Sequence, residues 1–257
     1  MNKIFRYPIR KITVFFEYLG QYLMLISKLF RSFDSWPNYA NNAIDQLIII
    51  GSSSIPIIII TSFFSGMVTS VQGAYQMTTS LVPKWYIGGI VGESIILELA
   101  PLLTGLVLSG RVGANIAAEI GTMRVTEQID ALESLSFDPV SFLIMPRVLA
   151  AAIMFPILII VADFCGILGG LFAAQSAMDV SPQEFIRGFR TWFRPWDAWF
   201  GLIKGVFFGV AITSIASYKG FTTEGGAEGV GKATTSTVVI SCMTIVLLDY
   251  ILAEIFL

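Results

Sequence analysis

Apolar residues run through this chain in long blocks separated by short charged intervals. From Gln46 to Pro83 there are 38 consecutive residues without a charge, and about 20 apolar residues suffice to cross a bilayer as a helix. Residues 47–72 therefore read as a first spanning helix. A second candidate covers 86–110, interrupted only by Glu93 and Glu98 and ending at Gly110-Arg111. The third covers 140–177, apolar except for Arg147 and Asp163; it is longer than a ~30 Å core needs, so it must tilt, protrude or break near Gly166, Gly169 and Gly170. The fourth covers 198–218 with Lys204 inside it, and the fifth covers 233–257.

Two further helices are amphipathic. In 12–30, Ile12, Phe15, Phe16, Leu19, Leu23, Ile26 and Phe30 recur at helical spacing while Glu17, Gln21 and Lys28 fall elsewhere. This suits a helix lying in the membrane interface, with a sixth crossing as the rival reading. Glu17 and the lack of a small-residue cleavage site argue against a secretory signal. In 182–194, Ser181-Pro182-Gln183-Glu184 spells a capping box with proline at the first helical position. Phe185, Ile186, Phe189, Trp192 and Phe193 form its apolar stripe. The segment is either an anchored connector or a partner site on the outer side.

The stretch 111–139 is too charged to cross and too apolar to be a loose linker. Glu119, Arg124, Glu127, Asp130 and Glu133 alternate with Ile120, Met123, Ile129 and Leu132, as expected of a helix that docks on another protein. Asp138-Pro139 caps the next helix.

Composition narrows the function. Of 257 residues, 55% are hydrophobic and 13% charged, about half the charged share of an ordinary soluble domain. The net charge of -2 supplies no field for nucleic acid. With no histidine, histidine triads and histidine-ligated zinc or haem are excluded. Cys165 and Cys242 lie in apolar runs and read as packing residues. Lysine and arginine near span ends are retained on the cytoplasmic side. A cytoplasmic N-terminus places eleven of them inside and four outside, with Lys204 within a span. Five spans then leave the C-terminus outside.

Gly226 to Lys232 nearly spells a phosphate-binding loop, but Ala233 stands where the magnesium-binding hydroxyl is required, and the segment joins two spans instead of a strand and a helix. Nucleotide binding in this chain is rejected; a glycine-rich turn is expected. Gly166-x-x-x-Gly170 and Gly201-x-x-x-Gly205-x-x-x-Gly209 let helices approach closely. Pro56, Pro101 and Pro156 permit kinks and free the carbonyl four residues earlier.

Charges inside spans are costly unless paired or hydrated and are functional candidates by default. Glu93, Glu98, Asp163 and Lys204 qualify. Counting from Tyr86, Glu98 lies roughly 18 Å in; counting from Ala198, Lys204 lies roughly 9 Å in. That mismatch speaks against a structural Glu98–Lys204 pair. It leaves Lys204 free to rise toward the nearer surface, while Glu98 sits deep beside a Leu97 carbonyl freed by Pro101 and needs a partner, a proton or water. Two rivals remain: a proton-coupled secondary transporter using Glu93, Glu98 and Asp163, and an intramembrane enzyme with a Ser/Lys dyad on Lys204, for which no serine is marked.

The run Ala118-Glu-Ile-Gly-Thr-Met-Arg-Val-Thr-Glu-Gln-Ile-Asp-Ala-Leu132, with Gly110-Arg-Val-Gly113, Glu98-Leu-Ala-Pro101 and Gly229-Val-Gly-Lys-Ala-Thr-Thr235, resembles the MlaE family of ABC transporter permeases, from about residue 12 to the end. The resemblance implies an all-α integral membrane protein with an N-terminal interfacial helix, five transmembrane helices and a cytoplasmic coupling helix. It implies a homodimeric permease subunit of an ATP-driven phospholipid transporter, in a bacterial inner membrane or a plastid envelope. The implied partners are MlaF-type ATPases, which bind the ATP and magnesium, an MCE-domain (MlaD-type) hexamer and, in some systems, a STAS-domain (MlaB-type) subunit. The chain itself would carry no catalytic or metal site. The family's coupling helix maps onto Ala117 to Leu135, with Glu119, Met123, Arg124, Glu127 and Asp130 on it; its intramembrane Glu and Lys map onto Glu98 and Lys204. Leu97 stands where some relatives carry arginine. With the lipid that the resemblance implies, the cavity candidates are Glu93, Leu97, Glu98 and Lys204, with Lys204 expected to attract the lipid phosphate and apolar side chains of spans one and two to hold the acyl chains.

Overall fold

A computed structural model of the chain describes residues 16–17, 20–29, 40–76 and 83–257. Among them there is no strand. In hydrocarbon only a helix satisfies its own backbone within one segment, and the apolar blocks obey that constraint. Helix α1 covers 20–29. It is followed by α2 (Ala40–Gly51), α3 (Ile55–Gln76), α4 (Tyr86–Ser94), α5 (Ala100–Leu108), α6 (Ala114–Val125), α7 (Gln128–Ser134), α8 (Met145–Met178), α9 (Pro182–Trp192), α10 (Pro195–Phe221) and α11 (Gly226–Phe256). Five continuous stretches are long and apolar enough to cross a membrane: Asn42–Gln76, Tyr86–Val125, Val140–Ala177, Pro195–Phe221 and Gly226–Phe256.

The second of these differs from the sequence expectation. The helix does not stop at Gly110-Arg111; it runs through a π-turn at Ser109–Gly113 into α6. A first π-turn, Ile95–Leu99, joins α4 to α5, and a third, Val140–Ile144, leads into α8. The charges that seemed to end the span lie on one side of a longer helix: Glu119 of α6 pairs with Arg147 of α8 at 2.8 Å. The expected coupling helix over 117–135 is consequently two helices. They are separated at Glu127, whose φ of 62° is left-handed, a conformation uncommon for a residue with a side chain. Asp138 caps the third π-turn, accepting from the Val140 and Ser141 amides at 3.3 Å.

Close backbone approach holds the bundle. A β-carbon at Gly66 would lie 1.8 Å from the Gly166 carbonyl oxygen, so α3 lies against α8 along the face that buries Ser62, Gly66 and Ser70, while Gly73 faces Ile90 of α4. The stripe Gly201, Gly205, Gly209 faces Ile96, Pro156 and Ala151 respectively, setting α10 between span two and α8. At one end of the bundle α9 clamps α4, where a β-carbon at Gly188 would meet the Trp85 carbonyl at 1.8 Å. The capping box forms, with the Ser181 amide donating to Glu184 Oε2 at 3.0 Å and the Glu184 amide to Ser181 Oγ at 3.3 Å. The α9 end and the α7 end are therefore distinct faces of the bundle.

Of the 12–30 segment, 12–15, 18, 19 and 30 lie outside the described residues. The rest packs beside α10: Tyr22 and Ser214 share a 2.8 Å hydrogen bond, and the Tyr218 hydroxyl donates to Gln21 at 3.0 Å. Leu25 and Leu29 are buried, while Phe16, Leu23 and Met24 are exposed. Both cysteines are free. The glycine-rich segment is a short turn through Gly225 (φ 87°), after which Gly226 already begins α11, and Lys232 pairs with Glu228 on that helix at 2.7 Å.

Candidate functional site

Pro101 cannot donate to the carbonyl four residues earlier, and the Ile95–Leu99 π-turn lies immediately before it. The freed carbonyl is that of Leu97. It accepts from Lys204 Nζ at 3.0 Å. The same ammonium lies 2.7 Å from Glu98 Oε2 and 2.6 Å from Asp249 Oδ1, and 4.8 Å from the centroid of the Phe200 ring. Spans two, four and five thus meet on one cation that is 1% exposed, hydrogen-bonded to Leu97 and Glu98 and in ionic contact with Asp249, whose Oδ1 accepts no hydrogen bond among the described residues.

This corrects two expectations. Lys204 does not rise toward the nearer surface, and Glu98 and Lys204 are paired despite their counted depths. The count assumed that both helices enter at one level. Gly201 lies opposite Ile96, which places the start of α4 about one turn further out than the start of α10, because the first turns of α4 carry α9. Asp249 is absent from the sequence-based candidates. The rule that singles out Glu98 applies equally to the carboxylates of 233–257, Asp249 and Glu254, of which Asp249 lies further from the end of the span.

Glu98 faces two ways. Its side chain is half exposed and lines a groove of about 1020 Å³ between α3 and span two. Thr61, Phe64, Ser65, Val68, Thr69 and Gln72 form one wall; Ile90, Glu93, Leu97, Glu98, Leu103 and Val107 form the other, and Trp192 of α9 closes one end. Glu93, Leu97 and Glu98 are on that wall, and Lys204 stands behind it. Asp163 is not among the lining residues; it sits on α8 with Oδ1 buried and unpartnered.

At the α7 end, Arg124 donates to Asp130 at 2.5 Å, joining α6 to α7 across the left-handed Glu127, and lies 5.9 Å from the Phe221 ring. Ile129 is fully buried, whereas Leu135 and Phe137 are exposed. Met123 packs on the core. Glu119, Arg124 and Asp130 are thus paired within the chain, although Glu119 and Asp130 are half exposed; Glu127, Glu133, Leu135 and Phe137 are among the other exposed groups of this end.

The profile of the Permease MlaE family matches residues 43–255. The chain belongs to the MlaE permease family. It is 42% identical over 220 residues to a probable ABC transporter permease protein of Rickettsia prowazekii, covering 86% of this chain and 85% of that one. It is 38% identical over 247 residues to a probable ABC transporter permease protein of Synechocystis, covering 94% and 92%. Against the chloroplastic protein Trigalactosyldiacylglycerol 1 of Arabidopsis thaliana it is 35% identical over 215 residues, covering 84% and 61%. An MlaE permease is a multi-pass membrane subunit of an ABC transporter, and such a subunit works with an ATPase of the ABC kind. The matched span takes in Glu98, Lys204 and Asp249, the α6–α7 unit and the whole groove.

Proposed function

We propose that this chain is the permease subunit through which an ATP-driven transporter moves phospholipid between the inner and outer membranes of a bacterium. The observation that carries this reading is the groove between α3 and span two. It offers apolar walls long enough for acyl chains, hydroxyl and amide groups along α3, and the Glu98 carboxylate held by a buried ammonium. Few ligands other than an amphiphile use both kinds of surface at once.

In this reading two copies face each other across their grooves in the inner membrane, with the N-terminus cytoplasmic and the C-terminus periplasmic. The α7 end is cytoplasmic and receives an MlaF-type ATPase, with ATP and magnesium held in that partner, on Leu135, Phe137, Glu127 and Glu133. The stiff link from α7 through Arg124–Asp130 into the 40-residue helix Tyr86–Val125 carries motion to Glu98. The α9 end faces an MCE-domain hexamer, and a STAS-domain subunit sits on the ATPase where one is present. Lys204 holds Glu98 in place and does not itself meet the lipid phosphate in this state. The proton-relay rival requires Glu93, Glu98 and Asp163 on one path, and Asp163 is outside the groove.

The test is a photoreactive residue at Val68 in the assembled transporter, with Phe64→Trp as a second variant that fills the groove. Lipid adducts at Val68, together with lost ATP-dependent lipid transfer and unaltered assembly in Phe64→Trp, support the proposal. Normal transfer through a filled groove overturns it.

A further inference from the structure

The same long helix carries a second polar pocket at its other π-turn. This pocket, of about 280 Å³, lies between the α2–α3 turn and α6 and is lined by Gln46, Ile49, Ser53, Arg111, Asn115 and Glu119, among others. Two charges face it, and they are not equivalent. Glu119 is already paired with the buried Arg147 at 2.8 Å. Arg111 has no ion pair among the described residues, and its Nη1 is buried without an acceptor. Arginine side chains stay charged in proteins, so the pocket holds a positive charge and a guanidinium fork with nothing to donate to. The Ser53 hydroxyl donates to the Ile49 carbonyl at 2.6 Å, leaving its oxygen as an acceptor and the side-chain amides of Gln46 and Asn115 as further donors at the same place.

Depth identifies the occupant. From Tyr86 to Arg111 the helix rises roughly 38 Å at 1.5 Å per residue, and the hydrocarbon core is about 30 Å thick. Arg111 thus lies at the level of lipid headgroups. Ile49 is exposed beside it, and Ile57 and Ile60 are exposed further along the same stretch toward the membrane centre, an apolar surface on which acyl chains lie while the phosphate reaches inward. Arg111 lies within the π-turn at Ser109–Gly113, and such turns are frequent at functional sites.

We propose that Arg111, with Asn115 and Gln46, forms a binding site for the phosphate of a phospholipid in the leaflet at the α7 end, separate from the Glu98 groove. It shares with the transport reading only the class of ligand, and the experiment reads the two sites independently. The whole transporter is placed in vesicles of phosphatidylethanolamine and phosphatidylglycerol with benzoylphenylalanine at position 53 in one sample and at position 68 in another.

The expected result is a lipid adduct at position 53 that falls about tenfold in Arg111→Ala, as loss of a charge-assisted hydrogen bond implies. The adduct is partly retained in Arg111→Lys, which keeps the charge without the fork, and excess inorganic phosphate leaves it unchanged. Asn115→Leu, at an exposed position that folding tolerates, lowers it about fivefold, so the test survives if Arg111→Ala does not assemble. Absence of the adduct, an adduct indifferent to both variants, competition by inorganic phosphate, or crosslinking to a polypeptide overturns the proposal. Lipid at position 68 without lipid at 53 overturns this inference alone; lipid at 53 without 68 counts against the groove.

Discussion

Lys204 and Arg111 are two cations placed at the two π-turns of one continuous helix, thirteen residues apart when measured from Glu98, and they have opposite surroundings. Lys204 is sealed among three oxygens from two helices. Arg111 has no ion pair and keeps a buried nitrogen with no acceptor among the described residues. A charge enclosed with its counter-charges is a structural device, because removing it strands the carboxylates it neutralised. A cation left incomplete, as proposed above for Arg111, is free to take a partner from outside the chain. The difference between pairing and want of a partner, more than the presence of charge in a span, separates the two roles.

The sharpest way to break this contrast is Lys204→Met. It leaves Glu98 and Asp249 facing each other without a cation and should cost about 3–5 kcal/mol, read as a lowered unfolding temperature of the purified complex. Adding Glu98→Gln and Asp249→Asn should restore most of it. Wild-type stability in the single variant would remove Lys204 from the structural role.

Glu119→Lys comes next, at about 2 kcal/mol. It unpairs the buried Arg147, but Glu119 is half exposed and water replaces part of what is lost. Arg111→Met should shift stability by less than about 1 kcal/mol, in the favourable direction, since an uncompensated cation is removed from a partly buried place. A loss comparable to that of Lys204→Met would mean that Arg111 is already neutralised. Arg124→Ala breaks a pair that is a third to a half exposed and should cost under about 1 kcal/mol, while lowering the lipid moved per ATP hydrolysed. Unchanged coupling would take the α6–α7 link out of the transmission path.

The smallest effect belongs to an exposed carboxylate at the α9 end. The Ser181 backbone amide holds Glu184 below the usual carboxylate range. A depressed carboxylate contributes stability above its unfolded value near 4.5, and loses it as pH falls through the lower folded value. Hydrogen exchange in the first turn of α9, corrected for intrinsic rates, should therefore quicken only in acid. Glu184→Gln should abolish that dependence, and a pH-independent wild type would contradict the assignment.

Much of this architecture is legible in the chain alone. Long apolar blocks poor in charge mark the five spans, Ser181-Pro182-Gln183-Glu184 marks α9, and Pro101 predicts the free Leu97 carbonyl that Lys204 occupies. The failures have a common cause. Gly110-Arg111 looks like the end of a helix because a residue count treats a charge as an exit to water, whereas the helix runs on through Ser109–Gly113 into α6. The helix continues because Arg147, from a distant segment, answers Glu119. Lys204 is expected to climb when depth is counted from helix starts, and the relative level of two helices is set by which small residues let their backbones meet. Asp249 escapes notice although the rule for intramembrane charges covers it.

What the sequence by itself determined is the set of elements: in an apolar solvent each backbone must satisfy itself locally, so hydropathy, glycine, proline and capping residues specify helices without reference to neighbours. Only the tertiary structure decided which charge meets which. Lys204 with Asp249, and Glu119 with Arg147, are pairs made by packing across helices far apart in the chain. An ion pair forms within a few ångströms or not at all, and that distance depends on helix level and rotation, which Gly66, Gly166, Gly188 and Gly201 settle through contacts no single segment contains.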